Sequence, residues 1–286
     1  MNTAAVIILY HPDVKHLDSM LKALRQVNWP VLLIDNSPEP LSVLADEVSH
    51  YIHNPDNAGI AEAQNQGIDK AIADGAEAVL LLDQDSQLSA GFLHQLFDAY
   101  NTATKQFDNV ACIGPQVLCE FDNKQVKARA SKEKHLTHNH ILTRQIIASG
   151  MMINTLAYKK IGKKESALFI DGVDHEWCWR AKRHGYLVLK AAQVVMPHRQ
   201  GDARHRLFGM NFKRGAPVRL YYQVRNVLIL SRRGYVPVYW KCRHLTALPL
   251  RFLVNRWYFP QGKLRGGYMW QGLKDGLTGR TGKIQK

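Results

Sequence analysis

Apolar and polar residues follow two different periods along the first hundred residues of this 286-residue chain. Short, nearly continuous apolar runs, the first at residues 4–10, are typical of strands buried on both faces. Between these runs, apolar residues recur every three or four positions, which predicts helices. The predicted strands are 4–10, 31–34, 51–53, 78–82, 110–117 and 187–196, and the predicted helices are 16–27, 41–48, 60–74, 90–100 and 174–184.

Strands that alternate with short helices form βαβ units, so this pattern predicts an α/β fold with a mostly parallel central sheet flanked by helices. Ligands of such sheets bind beyond the carboxyl ends of the strands. Polar clusters stand at three of these ends, at 10–12, 35–37 and 83–85. We therefore expect the functional site at this edge. Residues 124–140 are polar and rich in Lys and His, which predicts a loop.

Two aspartates after the strand at 78–82 suggest a metal site. Asp83 and Asp85 are two residues apart, so an extended chain would point both carboxylates the same way. Hard oxygen ligands of this kind suit Mg²⁺ or Mn²⁺ held between the protein and a diphosphate. The alternative is a solvated turn, but the position directly after a buried strand favours the metal site.

The segment 53–67 combines a helix start with glycine inside the helix. Gly59 lies just before the predicted helix, where backbone N–H groups are free to bind an anion or a sugar. Asn65 and Gly67 lie within it, and glycine there costs about 1 kcal/mol relative to alanine. That cost indicates a close backbone approach; the alternative is a tolerated surface Asn and Gly.

The segment 169–181 offers a candidate general base. Asp174 stands at the start of a predicted helix, where it either caps the helix or accepts a proton beside the crevice, and the spacing does not separate these roles. Glu176 and Arg180 have the i,i+4 spacing of an ordinary helix ion pair.

Basic residues further along the chain offer ligands for a diphosphate and its metal. His198 follows the last predicted strand and could complete a metal site, although a single His at a strand end is more often a surface residue. Arg219 and Arg225 suit phosphate oxygens, since guanidinium groups bind them in a fork. The alternative is a basic amphipathic helix that lies on an acidic partner.

Taken together, these clusters in this order resemble the family 2 glycosyltransferases of the GT-A fold, and within that family the bacterial rhamnosyltransferases of polysaccharide and O-antigen assembly. The resemblance covers nearly the whole chain, and DQDS followed by FID-x-VD-x-EW is fairly specific for the rhamnosyl group. The segments that carry it are VIILYHP, IDNS at 34–37, NAGIAEAQNQGI at 57–68, LLDQDS at 81–86, SG at 149–150, FIDGVDHEWCWRA at 169–181, HRQG at 198–201, RLYYQVRN at 219–226 and KDGLTGRTGK at 274–283.

The resemblance implies donor-binding roles at the first strand ends. Asp35 would read the pyrimidine ring, with Tyr10 and Pro12 as the nearby wall. The segment from Asn57 past Gly59 and Asn65 to Gly67 would line the nucleotide and the sugar.

Metal binding and catalysis are implied further along the chain. Asp85 and His198 would bind the metal, with Asp83 nearer the sugar or ribose. Aligned on Arg180, the family pattern Glu-Asp-x-Asp-x-x-x-Arg places Val173 where Glu is common, Asp174 on the catalytic base and Glu176 on the second acidic position. Arg225 belongs to a motif that contacts the diphosphate.

The activity implied is inverting transfer of L-rhamnose from dTDP-L-rhamnose to a sugar hydroxyl of a lipid-linked or growing polysaccharide, with Mg²⁺ or Mn²⁺ as cofactor. The alternatives are a family 2 enzyme that uses another nucleotide sugar, such as a UDP-hexose or galactofuranose donor, and a non-catalytic basic protein bound to a membrane.

The charge of the chain changes this picture at its C-terminal end. With 38 Lys and Arg against 24 Asp and Glu, the formal net charge of +14 implies an anionic partner. Residues 227–286 carry seven Arg and five Lys against one acid, Asp275, a net charge of +11. Because Lys and Arg mixed with Trp and Tyr are typical of membrane interfaces, we expect a catalytic domain at 1–226 and a basic, helical, membrane-associating segment at 227–286. The alternative is a basic helix packed on the catalytic core.

Other features bound the location of the protein. The N-terminus lacks the basic region of a signal peptide, and no apolar run approaches the roughly 18 residues that span a bilayer. The four Cys are too few and too irregularly spaced for a disulfide framework or a zinc site. No nucleic-acid-binding motif is recognisable, so no nucleic-acid partner is expected. These observations predict a cytoplasmic protein, peripheral on the inner face of the cell membrane.

Overall fold

A computed structural model describes residues 1–41, 47–119, 124–125, 133–198, 203–207 and 210–285, with backbone alone at 118–119, 124–125, 197–198, 203–207 and 210–214. The strands are β1 (Thr3–Leu9), β2 (Val31–Asp35), β3 (His50–His53), β4 (Ala78–Asp83), β5 (Val110–Cys119), β6 (Lys124–Gln125), β7 (Lys134–His135), β8 (His140–Leu142), β9 (Met151–Asn154), β10 (Leu187–His198), β11 (Ala203–Leu207) and β12 (Met210–Arg214). The helices are α1 (Val14–Arg25), α2 (Ile60–Ala73), α3 (Ala90–Gln106), α4 (Thr155–Ile161), α5 (Val173–Arg183), α6 (Arg219–Ser231), α7 (Val238–Leu253) and α8 (Gly262–Thr278).

Ten strands of the described chain form one central sheet. Nine of them run in the order β3-β2-β1-β4-β9-β5-β10-β8-β7, and β6 pairs with β5. The first half, β3-β2-β1-β4, is parallel, as predicted. Strand β9 lies antiparallel between β4 and β5, so the second half is mixed. The prediction of an α/β fold with a central sheet flanked by helices is confirmed.

The sheet buries both of its faces, which explains the unbroken apolar runs of its strands. Alternate residues of β1 point to opposite sides, so Ala5, Ile7 and Leu9 lie in one core cluster while Ala4, Val6 and Ile8 lie in the other. Helices α1 and α3 cover the first face, and α2, α4 and α5 cover the second. Asp174 therefore lies on a helix of the same layer as α2.

One predicted helix lies partly outside the described residues, and one predicted loop forms strands. Residues 42–46 of the helix predicted at 41–48 lie outside the described residues. The polar segment predicted to be a loop at 124–140 instead contributes short strands at the sheet edge, since β7 and β8 pair antiparallel. Residues 126–132 of that segment lie outside the described part.

The close backbone approach predicted at Gly67 is confirmed. Helix α2 packs so tightly on the sheet that a Cβ at Gly67 would collide with Cγ1 of Val6 and would lie 3.2 Å from Cγ1 of Ile34. Both neighbours are buried in strands and have little room to move. Glycine is therefore required here by packing.

Replacing Gly67 by alanine is expected to lower the free energy of unfolding by about 1–3 kcal/mol, the usual cost of overpacking a filled core. The matched control is Gly91→Ala in α3, where an added Cβ meets nothing within 4 Å. Urea unfolding of both variants measures the difference. Equal stability of the two variants would contradict the packing explanation.

The C-terminal helices are attached to the core. The boundary predicted between residues 226 and 227 falls within α6, which runs without interruption from Arg219 to Ser231. Helix α8 packs against α6, and the Tyr221 hydroxyl donates a 2.7 Å hydrogen bond to the buried carboxylate of Asp275. Among the described residues, no helix combines the length and the apolar character needed to cross a bilayer.

Candidate functional site

The polar ends of β1, β2 and β4 meet at one edge of the sheet. The backbone N–H of Tyr10 donates to Gln84 Oε1 at 2.6 Å, and Gln84 Nε2 donates to the Tyr10 carbonyl at 3.0 Å. The N–H of His11 donates to Ser37 Oγ at 2.8 Å. Tyr10 is half exposed and Pro12 partly exposed at this edge. These strand ends therefore form one connected wall, as the parallel sheet predicts.

Asp35 lies fully buried behind this wall. Its Oδ1 accepts a hydrogen bond from the Ser37 N–H at 2.9 Å and its Oδ2 accepts one from the Tyr51 hydroxyl at 2.7 Å. Burial alone would raise the pKa of this carboxyl, but the hydrogen bonds from Ser37 and Tyr51 outweigh it and hold the pKa below its ordinary value. Asp35 is therefore a fixed acceptor at the base of the wall.

Asp83 is the last residue of β4 and lies among other charges. Burial, followed by the charges of Asp174 and Asp85, raises the pKa of Asp83 to about 7, against the opposing effect of Arg219 and Lys164. Residues distant in sequence are thus brought to one place. Mutual repulsion of these carboxylates favours the binding of a cation among them.

Asp174 is held in the first turn of α5 by two contacts. Its Oδ2 accepts from the N–H of Ala148 at 3.1 Å, and its Oδ1 lies 3.0 Å from Nζ of Lys164. The Lys164 side chain is fully buried, whereas the Asp174 side chain remains 25% exposed. A fixed, partly accessible carboxylate suits a general base better than a helix cap. The helix is capped instead by Gly172, with no side-chain hydrogen bond at that position.

The loop before α5 is held from behind by α6. Nδ2 of Asn226 donates to the carbonyls of Leu168, Ile170 and Asp171, at 3.0, 2.7 and 2.9 Å. Arg225 is fully buried and donates to the carbonyls of Ala167 and Leu168. Together these two side chains fix the backbone that leads into Asp174.

The placement of Arg225 does not support the predicted contact with the diphosphate. Its guanidinium lies over the rings of Tyr221 and Tyr222, at 5.2 and 5.0 Å, and it also donates to the Gly282 carbonyl. By contrast, Arg219 is half exposed and forms a two-fold ion pair with Asp171, with both distances 2.8 Å. The charge of Arg219 opposes the rise in the pKa of Asp83, so Arg219 contributes positive charge near the end of β4.

Glu176 is fully buried among basic and hydroxyl side chains of the protein. Its carboxylate accepts from Arg180 at 2.9 and 3.0 Å, and from the Tyr235 hydroxyl at 2.6 Å. Arg233 completes this set at 3.4 Å. The ion pair predicted between Glu176 and Arg180 is thus present, and it belongs to a network that joins α5 to the segment after α6.

The start of α2 differs from the prediction of free N–H groups. The N–H of Gly59 donates to Asn57 Oδ1 at 3.0 Å, and the N–H of Ile60 donates to the Phe169 carbonyl at 2.8 Å. Gly59 has φ of +83°, and a Cβ there would lie 2.6 Å from the Phe169 ring. The N–H of Ile60 is occupied because α2 begins against the loop before α5, whereas the N–H of Gly59 is occupied by the nearby Asn57.

Asn65 also lies in the interior rather than at the crevice. Its side chain bonds Lys164 at both the carbonyl and the N–H, each at 2.9 Å, and accepts from the Tyr158 hydroxyl at 2.8 Å. Asn65 thereby fixes the backbone of the residue that pairs with Asp174.

A family model described as glycosyl transferase family 2 matches residues 5–158, more than half of the chain. That stretch contains the wall, the D-x-D aspartates and Asn65. A curated relative, the dTDP-rhamnosyl transferase RfbF of Shigella flexneri, is 33% identical over 249 residues, which cover 83% of this chain and 82% of the relative. The chain belongs to glycosyltransferase family 2.

Solved structures show the same fold for this family 2 glycosyltransferase. GalNAc-T7 with UDP, GalNAc and Mn²⁺ superposes with a TM-score of 0.58 at 15% identity, over 97% of this chain and 56% of that one. Staphylococcus aureus TarS 1–349 in complex with UDP-GlcNAc superposes with a TM-score of 0.55 at 11% identity, over 98% of this chain and 82% of that one. The GT-A fold is confirmed.

The carboxylates at the end of β4 are the candidate metal ligands of this glycosyltransferase. Among the described residues, no group of three or more His, Cys, Asp or Glu side chains is placed to hold one. Asp85 is exposed beside Asp83, whose carboxylate is destabilised by its neighbours. These oxygens fit a divalent cation that takes further ligands from a diphosphate. The side chain of His198, at the end of β10, lies outside the described residues.

The sequence does not single out Lys164 as a functional residue. Lys164 stands in a run of lysines, 159–160 and 163–164, whose other members are exposed or paired at the surface, so nothing in the sequence distinguishes it. The Arg225–Asn226 motif stands out in the sequence, but the loop carbonyls that it binds lie 55 to 58 residues earlier in the chain. Only the fold brings these groups together.

Proposed function

We propose that this family 2 glycosyltransferase transfers L-rhamnose from dTDP-L-rhamnose to a sugar hydroxyl of a lipid-linked or growing polysaccharide, with inversion at the anomeric carbon. The observation that carries the proposal is the 33% identity to a dTDP-rhamnosyl transferase over 83% of the chain. An acceptor of this kind places the reaction at the cytoplasmic face of the cell membrane.

The wall at the ends of β1 and β2 supports binding of the donor base. Tyr10 and Pro12 offer an accessible surface for a pyrimidine ring. Asp35 lies behind it as an oriented acceptor, because Ser37 and Tyr51 fix both of its oxygens. A ring N–H that reaches Asp35 would be read by a hydrogen bond to a charged acceptor, which is stronger than one to a neutral group.

Asp174 is proposed to accept the proton of the attacking hydroxyl. As the acceptor oxygen forms its bond to the anomeric carbon, the bond from that carbon to the diphosphate oxygen breaks and its electron pair leaves with the diphosphate. Attack from the opposite face inverts the configuration. Asn226 and Arg225 support this step by fixing the loop that positions Asp174.

Asp85 and the imidazole of His198 are proposed to hold Mg²⁺ or Mn²⁺, with Asp83 nearer the sugar or ribose. When bound, such an ion supplies positive charge that stabilises the departing diphosphate. The exposed Arg219 contributes positive charge to the same region.

A second candidate donor is a UDP-sugar. The solved relatives that share the fold were crystallised with UDP or UDP-GlcNAc, although their identities of 15% and 11% support only the fold. A pyrimidine ring would contact the same wall in either case, so a comparison of dTDP-sugar and UDP-sugar binding distinguishes the two candidates.

Binding of dTDP-L-rhamnose with Mn²⁺ is expected to raise the unfolding temperature more than UDP-glucose or UDP-galactofuranose does. A ligand at 100 times its Kd stabilises the folded state by about 2.7 kcal/mol. Differential scanning fluorimetry of the full chain, with EDTA in parallel samples, measures this shift. Larger stabilisation by a UDP-sugar would overturn the rhamnosyl assignment, and an unchanged shift in EDTA would overturn the metal assignment.

A further inference from the structure

The exposed apolar side chains of the described residues are concentrated at the C-terminal end of the chain. Fourteen large apolar side chains are exposed among the described residues, and nine of them lie between residues 238 and 277. They belong to α7, to the π-helical turn Val254–Tyr258 and to α8. Trp257 and Trp270 are each 66% exposed. Clusters of this kind on a folded protein indicate an interaction surface.

Helix α7 is attached by one side only. Trp240 packs edge-on against Trp179 of α5 at 5.1 Å, while none of the sixteen residues of α7 is buried. Some of its exposed residues recur at helical spacing and form an uncharged stripe, which ends shortly before Trp257 in the chain. The residues of this stripe are Val238, Cys242, Leu245, Pro249 and Leu253.

Helix α8 has two faces of opposite character. Its inner face packs on α6 and includes Met269 and the acid Asp275. Its outer face combines cations with apolar side chains at helical spacing and carries no acid. The residues of this outer face are Lys263, Leu264, Trp270, Lys274 and Leu277.

We infer that the outer stripes of α7 and α8, with the turn between them, form a membrane-binding face for an anionic lipid surface. Apolar and aromatic side chains flanked by Lys and Arg bind the boundary between headgroups and acyl chains. Helices of 16 and 17 residues that are exposed along one side suit a helix that lies on the bilayer. This inference goes beyond the proposed reaction and does not depend on the identity of the donor.

Charge selects the lipid surface over a second copy of the chain. The outer face of α8 carries Lys263 and Lys274 and no acid, and it belongs to a segment, residues 227–286, with a net charge of +11. The one acid of that segment, Asp275, is buried against Tyr221. Two copies that met through this face would bring like charges together, which costs free energy. Anionic headgroups would neutralise the same charges.

The test uses the full chain and large unilamellar vesicles, either of pure phosphatidylcholine or with one third phosphatidylglycerol. The membrane-face variant combines Trp257→Ser, Trp270→Ser, Lys263→Glu and Lys274→Glu. The matched control combines Leu156→Ser, Lys159→Glu and Lys160→Glu on α4, where all three side chains are exposed. Both variants replace two lysines by glutamates, so they lower the net charge equally.

In co-sedimentation, the unmodified chain is expected to bind the phosphatidylglycerol vesicles and to bind pure phosphatidylcholine far more weakly. The membrane-face variant should lose about tenfold or more in partitioning, while the α4 control stays within about threefold of the unmodified chain. Both variants are expected to fold, because every substituted side chain is exposed. Thermal unfolding and circular dichroism check this.

Three results would overturn the inference. The first is failure of the unmodified chain to bind phosphatidylglycerol vesicles. The second is equal loss by the two variants, which would show a response to net charge alone. The third is a dimer that light scattering detects for the unmodified chain and the α4 control but not for the membrane-face variant. That result would assign this face to a second copy of the chain.

Discussion

Replacing Asp174 by asparagine is expected to lower the rate of sugar transfer by about 10²–10⁴-fold, the usual contribution of a general base. The amide has nearly the same shape and keeps the contact with the Ala148 N–H within reach. Binding of the donor nucleotide should persist, because the wall around Asp35 is untouched. Single-turnover transfer assays and nucleotide titrations measure the two effects separately.

The buried Lys164 requires a control for this experiment. Asp174→Asn leaves the fully buried ammonium of Lys164 opposite a neutral amide, and removal of one partner of a buried ion pair destabilises a protein. The double variant Asp174→Asn with Lys164→Met removes both charges, and Lys164→Met alone is its reference. Recovery of turnover in the folded double variant would exclude Asp174 as the base.

Glu176→Gln provides the contrast on the same helix. Glu176 is buried and pairs with Arg180, Arg233 and Tyr235, so this change should lower the unfolding temperature through the loss of its charge. Turnover of the folded variant should fall far less than for Asp174→Asn. A larger catalytic loss at Glu176 than at Asp174 would reverse the two assignments.

Replacing Arg225 by alanine is expected to lower the free energy of unfolding by about 3 kcal/mol, within the range for a buried hydrogen-bonded group. The side chain fills the space beside Tyr221 and Tyr222 and donates to backbone carbonyls of the loop before α5 and of Gly282. Relaxation of that loop should also lower turnover through Asp174. Urea unfolding and transfer assays measure both effects.

Arg225→Lys distinguishes this role from contact with the diphosphate. Lysine keeps the charge but lacks the fork of donors, so the variant should be less stable than the unmodified chain while its folded fraction still binds the donor nucleotide with similar affinity. A variant that keeps full stability but binds the nucleotide an order of magnitude more weakly would restore the predicted donor contact.

The fold could be predicted largely from the period of its apolar residues. Strands buried on both faces leave unbroken apolar runs, and β1, with all seven residues buried, is the clearest case. The antiparallel insertion of β9 between β4 and β5 could not be predicted, because strand order depends on packing between distant segments. A four-residue strand such as β9 also carries little periodic signal.

The candidate site could be predicted at the strand ends but not behind them. The positions of Asp83 and Asp85 follow from the end of β4, which the sequence marks by a change from apolar to acidic residues. Lys164, by contrast, pairs with Asp174 only because the segment after α4 folds under α5. Burial of a charged residue leaves no local pattern, so the sequence alone does not show that Glu176 and Arg225 lie in the interior.

The two faces of α8 should diverge at different rates among descendants of this sequence. A Cβ at Gly272 would collide with the Tyr221 carbonyl, and one at Gly276 would lie 2.7 Å from a side-chain carbon of Leu228, so both positions should tolerate almost no exchange. Exposed positions such as Leu264 and Trp270 meet no such restriction. Their residues can change as the lipid composition of the membrane changes. Within one helix, the packed face would thus accept substitutions slowly and the exposed face would accept them quickly.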